Sequence, residues 1–144
     1  MSKAIYTAQA TVTGGRAEGH GVTSDGALDV QLRPPAADGA PAGTNPEQLF
    51  AVGYAACFEG ALGSVARRQR IESLGEASIE SHVSLYPTPE RGFKLGVSLD
   101  VTLPGVEDSG AAADLVRAAH GVCPYSAATR GNIEVTLTAN GQAV

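Results

Sequence analysis

A chain of 144 residues, 43% of them hydrophobic, is the size of one ordinary domain and can bury roughly two-thirds of its unfolded surface without a disulfide framework. Fifteen acidic against ten basic residues give a net charge of −5, and aromatic residues make up 5%; no broad Lys/Arg cluster tracks a phosphate backbone and few rings offer stacking platforms, so nucleic-acid binding is not expected. No apolar run approaches the ~20 residues of a membrane span, the opening residues do not read as a signal peptide, and the two cysteines point to a cytosolic chain in which a disulfide is catalytic or transient rather than structural.

Taken in chain order, AIYTAQATVTG alternates apolar and polar residues with many Thr, then meets Gly14 and Gly15; this predicts a strand and a turn that carries Arg16. HGVTSDGALDVQL is punctuated by Asp25-Gly26, a strong hairpin signal between strand-like segments. Residues 33 to 44, RPPAADGAPAGT, read as a connector within one domain, since too little chain precedes them to fold alone. A single domain spanning residues 1 to 144 is therefore expected.

TNPEQLFAVGYAACFEGALGSVARRQRI is the longest helical candidate. Asn45 is placed to cap it, Pro46 suits the first helical position, and Glu47 lies in the first turn, where the helix dipole favours acids. Small and apolar residues lie on more than one face, which predicts a buried helix. The closing RRQR run, Arg67 to Arg70, reads as cations at a helix C-terminus.

ASIESHVSLYP and GFKLGVSLDVTLP alternate and are separated by TPERG, so a hairpin is predicted. SGAAADLVRAAHGVC reads as a second helix with Ser109 as cap candidate, and GNIEVTLTANG as a last strand. The order is βββ-α-ββ-α-β. It argues an α+β fold with antiparallel sheets wrapped around buried central helices.

The two cysteines carry the chemistry. Cys57 lies in mid-helix among small apolar residues, where a free Cys is usually a buried structural thiol. Cys123 precedes Pro124, at a place where the N–H groups of a following helical turn could stabilise a thiolate. Cys-Pro-Tyr-Ser also matches a monothiol redox motif, but the 21 residues after Cys123 are too few for the rest of a thioredoxin-like fold. His120 and Cys123 offer half a zinc site to which Cys57 could add a third ligand, but no second close pair completes it; the favoured alternative is a His120 that is solvated or caps a helix. His20 and His82 are scattered on strands.

Three stretches together, TVTGGRAEG around Arg16, GTNPEQLFAVGYAACF around Cys57 and AHGVCPYSAATRGNIEV around Cys123, resemble the organic hydroperoxide resistance branch of the Ohr/OsmC family, in the same order along nearly the whole chain. The Pro-Tyr after Cys123 favours that branch over its OsmC sister. The resemblance implies an intertwined α+β homodimer with active sites at the subunit interface, and a thiol peroxidase that reduces organic hydroperoxides. Carried over residue by residue, it makes Cys57 the peroxidatic thiol, Cys123 the resolving thiol, and Arg16 and Glu47 the pair that activates Cys57. It also implies no bound cofactor and an external dithiol reductant, a dihydrolipoyl group on a lipoylated protein. Two departures touch none of these positions: Ala127 stands where Asn is frequent, and PPAADGAPAG replaces a more glycine-rich loop.

The chemistry sets requirements on these residues. A thiol buried among apolar side chains has a raised pKa, so a cation must offset desolvation. Arg16 can do this without losing its charge, and Glu47 can orient it through a bidentate contact; on their own terms, without the resemblance, the first reads rather as a solvated turn residue and the second as a helix-dipole acid. On a continuous helix Glu47 and Cys57 are separated by about 15 Å of rise and do not touch. Arg16 then spans the gap, or Gly53 interrupts the helix, or the Arg16–Glu47 pair comes from the other chain, which is the expectation preferred here. Phe50, Phe58 and Tyr125 are candidates for an apolar substrate entrance, and Ser126 for a local hydrogen-bonding or capping role. The alternatives from other classes are a non-catalytic small-molecule-binding dimer and a zinc-binding protein using His120.

Overall fold

The computed structural model describes residues 2–35, 38 and 43–144. Most of the PPAADGAPAG departure lies outside the described residues. The chain divides into two compact units, Met1–Leu49 and Phe50–Val144.

In the first unit, β1 (Ala10–Thr13), β2 (Gly19–Thr23) and β3 (Asp29–Leu32) form an antiparallel sheet in that order. β1 is shorter than the alternation from Ala4 suggests. The predicted turn after it contains a single helical turn, α1 (Gly15–Glu18), entered through Gly14 and Gly15 with φ of 78° and 70°. Those left-handed angles favour glycine, and they set Arg16 on α1 between two paired strands. The β2–β3 hairpin forms as expected. Gly26 adopts φ 72°, and Asp25 Oδ1 accepts from the Ala27 N–H at 3.0 Å and the Thr23 hydroxyl at 2.7 Å, so the carboxylate closes the loop by bonding its own backbone.

α2 (Pro46–Arg68) begins where the Asn-Pro-Glu signal places it. Asn45 Oδ1 accepts from the Gln48 N–H at 2.9 Å, satisfying one of the orphan donors of the first turn. The helix is unbroken through Gly53, which removes the predicted alternative of an interruption there. It ends with paired reversals, Ile71 N–H to Ala66 O at 3.0 Å and Arg70 N–H to Arg67 O at 3.2 Å, the pattern of a left-handed C-terminal cap. Arg70 supplies the left-handed residue, with φ 57°.

In the second unit, β4 (Ser78–Pro87) and β5 (Phe93–Thr102) make the predicted hairpin, paired from Ser78↔Thr102 to Pro87↔Phe93. Then come α3 (Ser109–Val122), α4 (Pro124–Thr129), β6 (Glu134–Ala139) and the short β7 (Gln142–Ala143). The sheet order is β4-β5-β6-β7. β6 pairs with β5 in parallel, from Gly96↔Glu134 to Val101↔Ala139, so within the expected α+β fold this sheet is mixed rather than antiparallel. The connection from β5 to β6 contains two helices, which is the length of chain a parallel crossover needs. The cap of α3 is also corrected by one residue: Asp108, not Ser109, accepts from the Ala111 N–H at 2.7 Å.

The core of this unit joins α2 (Tyr54, Phe58, Leu62, Val65), the alternating face of β5 (Val97, Leu99, Val101) and α3 (Ala112, Leu115, Val116, Ala119). α2 is buried on one face within the chain, not on several as its composition suggests; Val52 is 71% exposed. By length and composition alone α2 could cross a membrane, contrary to the expectation that no segment would. Its Tyr54–Val65 face packs into the core with β5 and α3, as a core helix does.

Candidate active site

Cys57 sits on α2, partly buried, and Cys123 is 1% exposed. Pro124 explains the second position. The residue before proline is driven out of the helical region, so α3 stops at Val122, Cys123 takes φ −69°, ψ 124°, and Pro124 opens α4 at its first position. Cys123 is thus C-cap of one helix and N-cap of the next, held by its N–H to Ala119 O at 2.9 Å and by its carbonyl accepting from Ala127 N–H at 3.0 Å. The two sulfurs lie 3.6 Å apart and are both free thiols. A disulfide has an S–S bond of about 2.05 Å, so the two sulfurs are in contact but not bonded.

Burial pushes the Cys57 thiol above its ordinary pKa. The Tyr125 backbone N–H opposes this, and the neighbouring Cys123 adds to the rise. Of the N–H groups in the turn after Cys123, expected to serve Cys123 itself, that of Tyr125 favours the Cys57 thiolate. Tyr125 also lies against α2: a Cβ on Gly53 would come within 3.0 Å of its hydroxyl oxygen and 3.4 Å of its ring. Gly53 is one helical turn before Cys57, so the two share a face. The missing side chain makes room for the ring of the residue whose backbone N–H favours the Cys57 thiolate.

Phe50, Tyr54 and Tyr125 form an aromatic cluster with centroids 5.7 to 6.0 Å apart. Phe58 is fully buried in the core, which removes it from the predicted entrance. Phe50 is partly buried and Tyr125 is 38% exposed.

In the first unit, Arg16 Nη2 donates to Glu47 Oε2 at 2.7 Å, with side chains 54% and 18% exposed. The expected Arg–Glu pair is formed, through one donor rather than two. The four predicted residues thus fall into two pairs, each within its own unit.

His120 turns one ring nitrogen to Ser126. Its Nδ1 is 2.8 Å from Ser126 Oγ, burial and the Arg130 charge lower its pKa, and among the described residues no three His, Cys, Asp or Glu side chains are placed to share a metal ion. Ser126 is fully buried and also bonds the Tyr54 hydroxyl at 2.8 Å, so the local bonding role expected for it extends to α2. The sequence does not mark Tyr54 and Gly53 as neighbours of α4. Their spacing of three and four from Cys57 was visible there, but their partners in α4 were not. Ala127, the departure from the family motif, is exposed.

A family model described as OsmC-like protein matches residues 37–138. The organic hydroperoxide resistance protein of Xanthomonas axonopodis pv. citri (strain 306) is 53% identical over 138 residues, 94% of this chain and 95% of the relative. The organic hydroperoxide resistance protein OhrB of Bacillus subtilis (strain 168) is 51% identical over 136 residues, covering 93% of this chain and 97% of the relative, and the crystal structure of Bacillus subtilis OhrB superimposes with a TM-score of 0.86 over 94% of this chain and 98% of that one. A putative organic hydroperoxide resistance protein of Vibrio cholerae, with captopril bound in one of its active sites, superimposes with a TM-score of 0.89 at 43% identity, over 99% and 96% of the two chains. Motif, fold and full-length similarity agree, and the chain belongs to the organic hydroperoxide resistance branch of the OsmC-like family.

Proposed function

We propose that this chain is a thiol-dependent peroxidase that reduces organic hydroperoxides to alcohols, with Cys57 as peroxidatic and Cys123 as resolving cysteine. The observation that carries the reading is the 3.6 Å approach of the two sulfurs, one partly open and one buried. The Cys57 thiolate attacks the peroxide oxygen remote from R; the O–O bond breaks, the alkoxide leaves and is protonated to ROH, and the sulfur becomes a sulfenic acid. The Cys123 sulfur then attacks that sulfur. An S–S bond forms, the S–OH bond breaks, and the hydroxyl leaves as water with the Cys123 proton. An external dithiol, a dihydrolipoyl group on a lipoylated protein, reopens the disulfide, and no bound cofactor is needed.

Desolvation raises the Cys57 pKa, so attack as thiolate at neutral pH requires a positive charge beyond the Tyr125 N–H. The Arg16–Glu47 pair is the proposed source, contributed by the other chain of a homodimer. The exposed Val52 on α2, with Ile5, Tyr6 and Val12 exposed in the first unit, supports a partner that covers apolar surface. Apolar residues at Phe50 and Tyr125 suit alkyl or aryl hydroperoxides, and a reducing cytosol suits a cycle that starts from two free thiols.

The test is intact mass and peptide mapping after one equivalent of cumene hydroperoxide, on the wild type and on Cys123→Ser. Loss of two hydrogens assigned to Cys57–Cys123 in the wild type, with sulfenic or higher acids on Cys57 in the variant, is expected. Unchanged mass and thiol count in both would refute the peroxidase reading and favour a non-catalytic binding protein.

A further inference from the structure

Three residues on either side of Cys123 stand the two ends of one hydrogen bond. His120, in α3, and Ser126, in α4, meet at 2.8 Å across the bend that Cys123 and Pro124 make. Ser126 Oγ also bonds the Tyr54 hydroxyl at 2.8 Å, and Tyr54 lies 3.1 Å from Thr129 Oγ1. Tyr54 is on α2, three residues before Cys57. The network therefore ties together the three helical segments that present the two sulfurs, and its members Tyr54, Ser126 and Thr129 are buried. All its hydroxyl protons can be placed: Tyr54 donates to Ser126, Ser126 donates to an unprotonated His120 Nδ1, and Thr129 donates to the Ser126 carbonyl at 3.2 Å. Arg130 Nη2 closes the outer end on the His120 carbonyl at 2.6 Å.

We propose that Tyr54, Ser126 and His120 are positioning residues for the resolving step: their buried network holds the Cys123 bend against α2 and so sets how fast Cys123 reaches an oxidised Cys57. This rests on the peroxidase reading above. A sulfenic acid on Cys57 has two fates. Condensation with Cys123 is intramolecular and releases water; attack on a second hydroperoxide is bimolecular, transfers one oxygen to sulfur, releases ROH and leaves a sulfinic acid. The intramolecular route wins only while the sulfurs are held near contact, and effective molarity falls steeply when reacting atoms are displaced by an ångström. A buried, fully partnered polar network is suited to hold such a geometry, because losing one member leaves the others without partners. None of its members is required to touch substrate.

The test compares wild type, Tyr54→Phe and Ser126→Ala, each as the whole protein, exposed without reductant to increasing cumene hydroperoxide. Two quantities are read: the rate of first oxidation of Cys57 by rapid quench, and the ratio of Cys57 sulfinic acid to Cys57–Cys123 disulfide by peptide mapping. Tyr54→Phe keeps the ring in its aromatic cluster and removes only the hydroxyl. The expected result is a first-oxidation rate within about twofold of wild type and a sulfinic-to-disulfide ratio raised about tenfold or more. A role confined to stability would lower the melting temperature and leave that ratio unmoved, and such a result in both variants overturns the proposal. Should a fully buried substitution fail to fold, His120→Ala, at the partly exposed end of the network, serves in its place with the same expectation. A wild type that forms no disulfide overturns the peroxidase reading and this proposal with it; a wild type that does, beside variants with an unchanged ratio, overturns this proposal alone.

Discussion

Replacing Gly53 with alanine should separate the stability of the protein from the reactivity of its thiol. In the interior of α2 the change gains helix propensity, about 0.5–1 kcal/mol. The added Cβ meets the Tyr125 hydroxyl oxygen at 3.0 Å and two ring carbons at 3.4 Å, so the phenol must retreat by a few tenths of an ångström. Tyr125 is 38% exposed and can swing outward, giving up part of its packing on Phe50 and Tyr54. These effects oppose one another, and the net change in unfolding free energy should stay within about 1 kcal/mol of zero. The thiol has no such compensation. Among the described residues of the same chain, the Tyr125 backbone N–H favours the Cys57 thiolate against burial, and hydrogen bonds to charged groups contribute about 1.5–3 kcal/mol. Cys57 is only partly buried, so solvent screening reduces this, and partial loss of about 1 kcal/mol lowers the thiolate population roughly fivefold. The assay is the pH dependence of Cys57 alkylation by iodoacetamide in a Cys123→Ser background, beside urea unfolding of the same protein. The expected result is a profile displaced to higher pH at nearly unchanged stability. A profile that superimposes on that of Gly53 protein would refute the claim that Tyr125, seated on Gly53, tunes the sulfur.

The remaining predictions concern charge and capping. Arg16→Ala should lower kcat/KM for cumene hydroperoxide about a hundredfold, the scale of removing a group that stabilises developing negative charge, while changing stability by less than about 1 kcal/mol, since the Arg16 side chain it removes is half exposed; equal activity in the variant would remove Arg16 from the mechanism. His120 is held below its ordinary pKa by burial and by Arg130, so the unfolded chain takes up its proton first as pH falls. Its contribution to stability is complete above the unfolded value of about 6.5 and is lost as pH falls through the lower folded value. Urea unfolding at several pH values should show a shallower acid loss in His120→Asn than in wild type, and parallel curves would contradict the shift. Asp108→Ala should destabilise the protein by about 1 kcal/mol through loss of the α3 cap, whereas Ser109→Ala should stay within about 0.5 kcal/mol; thermal unfolding of the two tells which residue caps the helix.

Local chemistry is legible in the amino-acid sequence wherever one element decides the outcome. Asn45-Pro46-Glu47 marks the start of α2 because capping involves only neighbours, Asp25-Gly26 marks the β2–β3 loop because its bonds stay within the loop, and alternation predicts β4 and β5 because side chains leave a strand with a period of two. Family resemblance added the identities of Cys57, Cys123, Arg16 and Glu47, which residue types alone left open. The tertiary structure decided everything that depends on segments distant in the chain. β6 runs parallel to β5 because two helices fill the connection between them. Phe58 belongs to the core and Val52 to the surface although both lie on one apolar helix, because only packing selects the buried face. The sulfurs of Cys57 and Cys123 approach to 3.6 Å across 66 positions of sequence, Gly53 proves to be a seat for Tyr125 rather than a break, and Tyr54 finds Ser126. Each of these contacts exists only after the chain has closed its long loops, and no local propensity encodes which partner will be waiting.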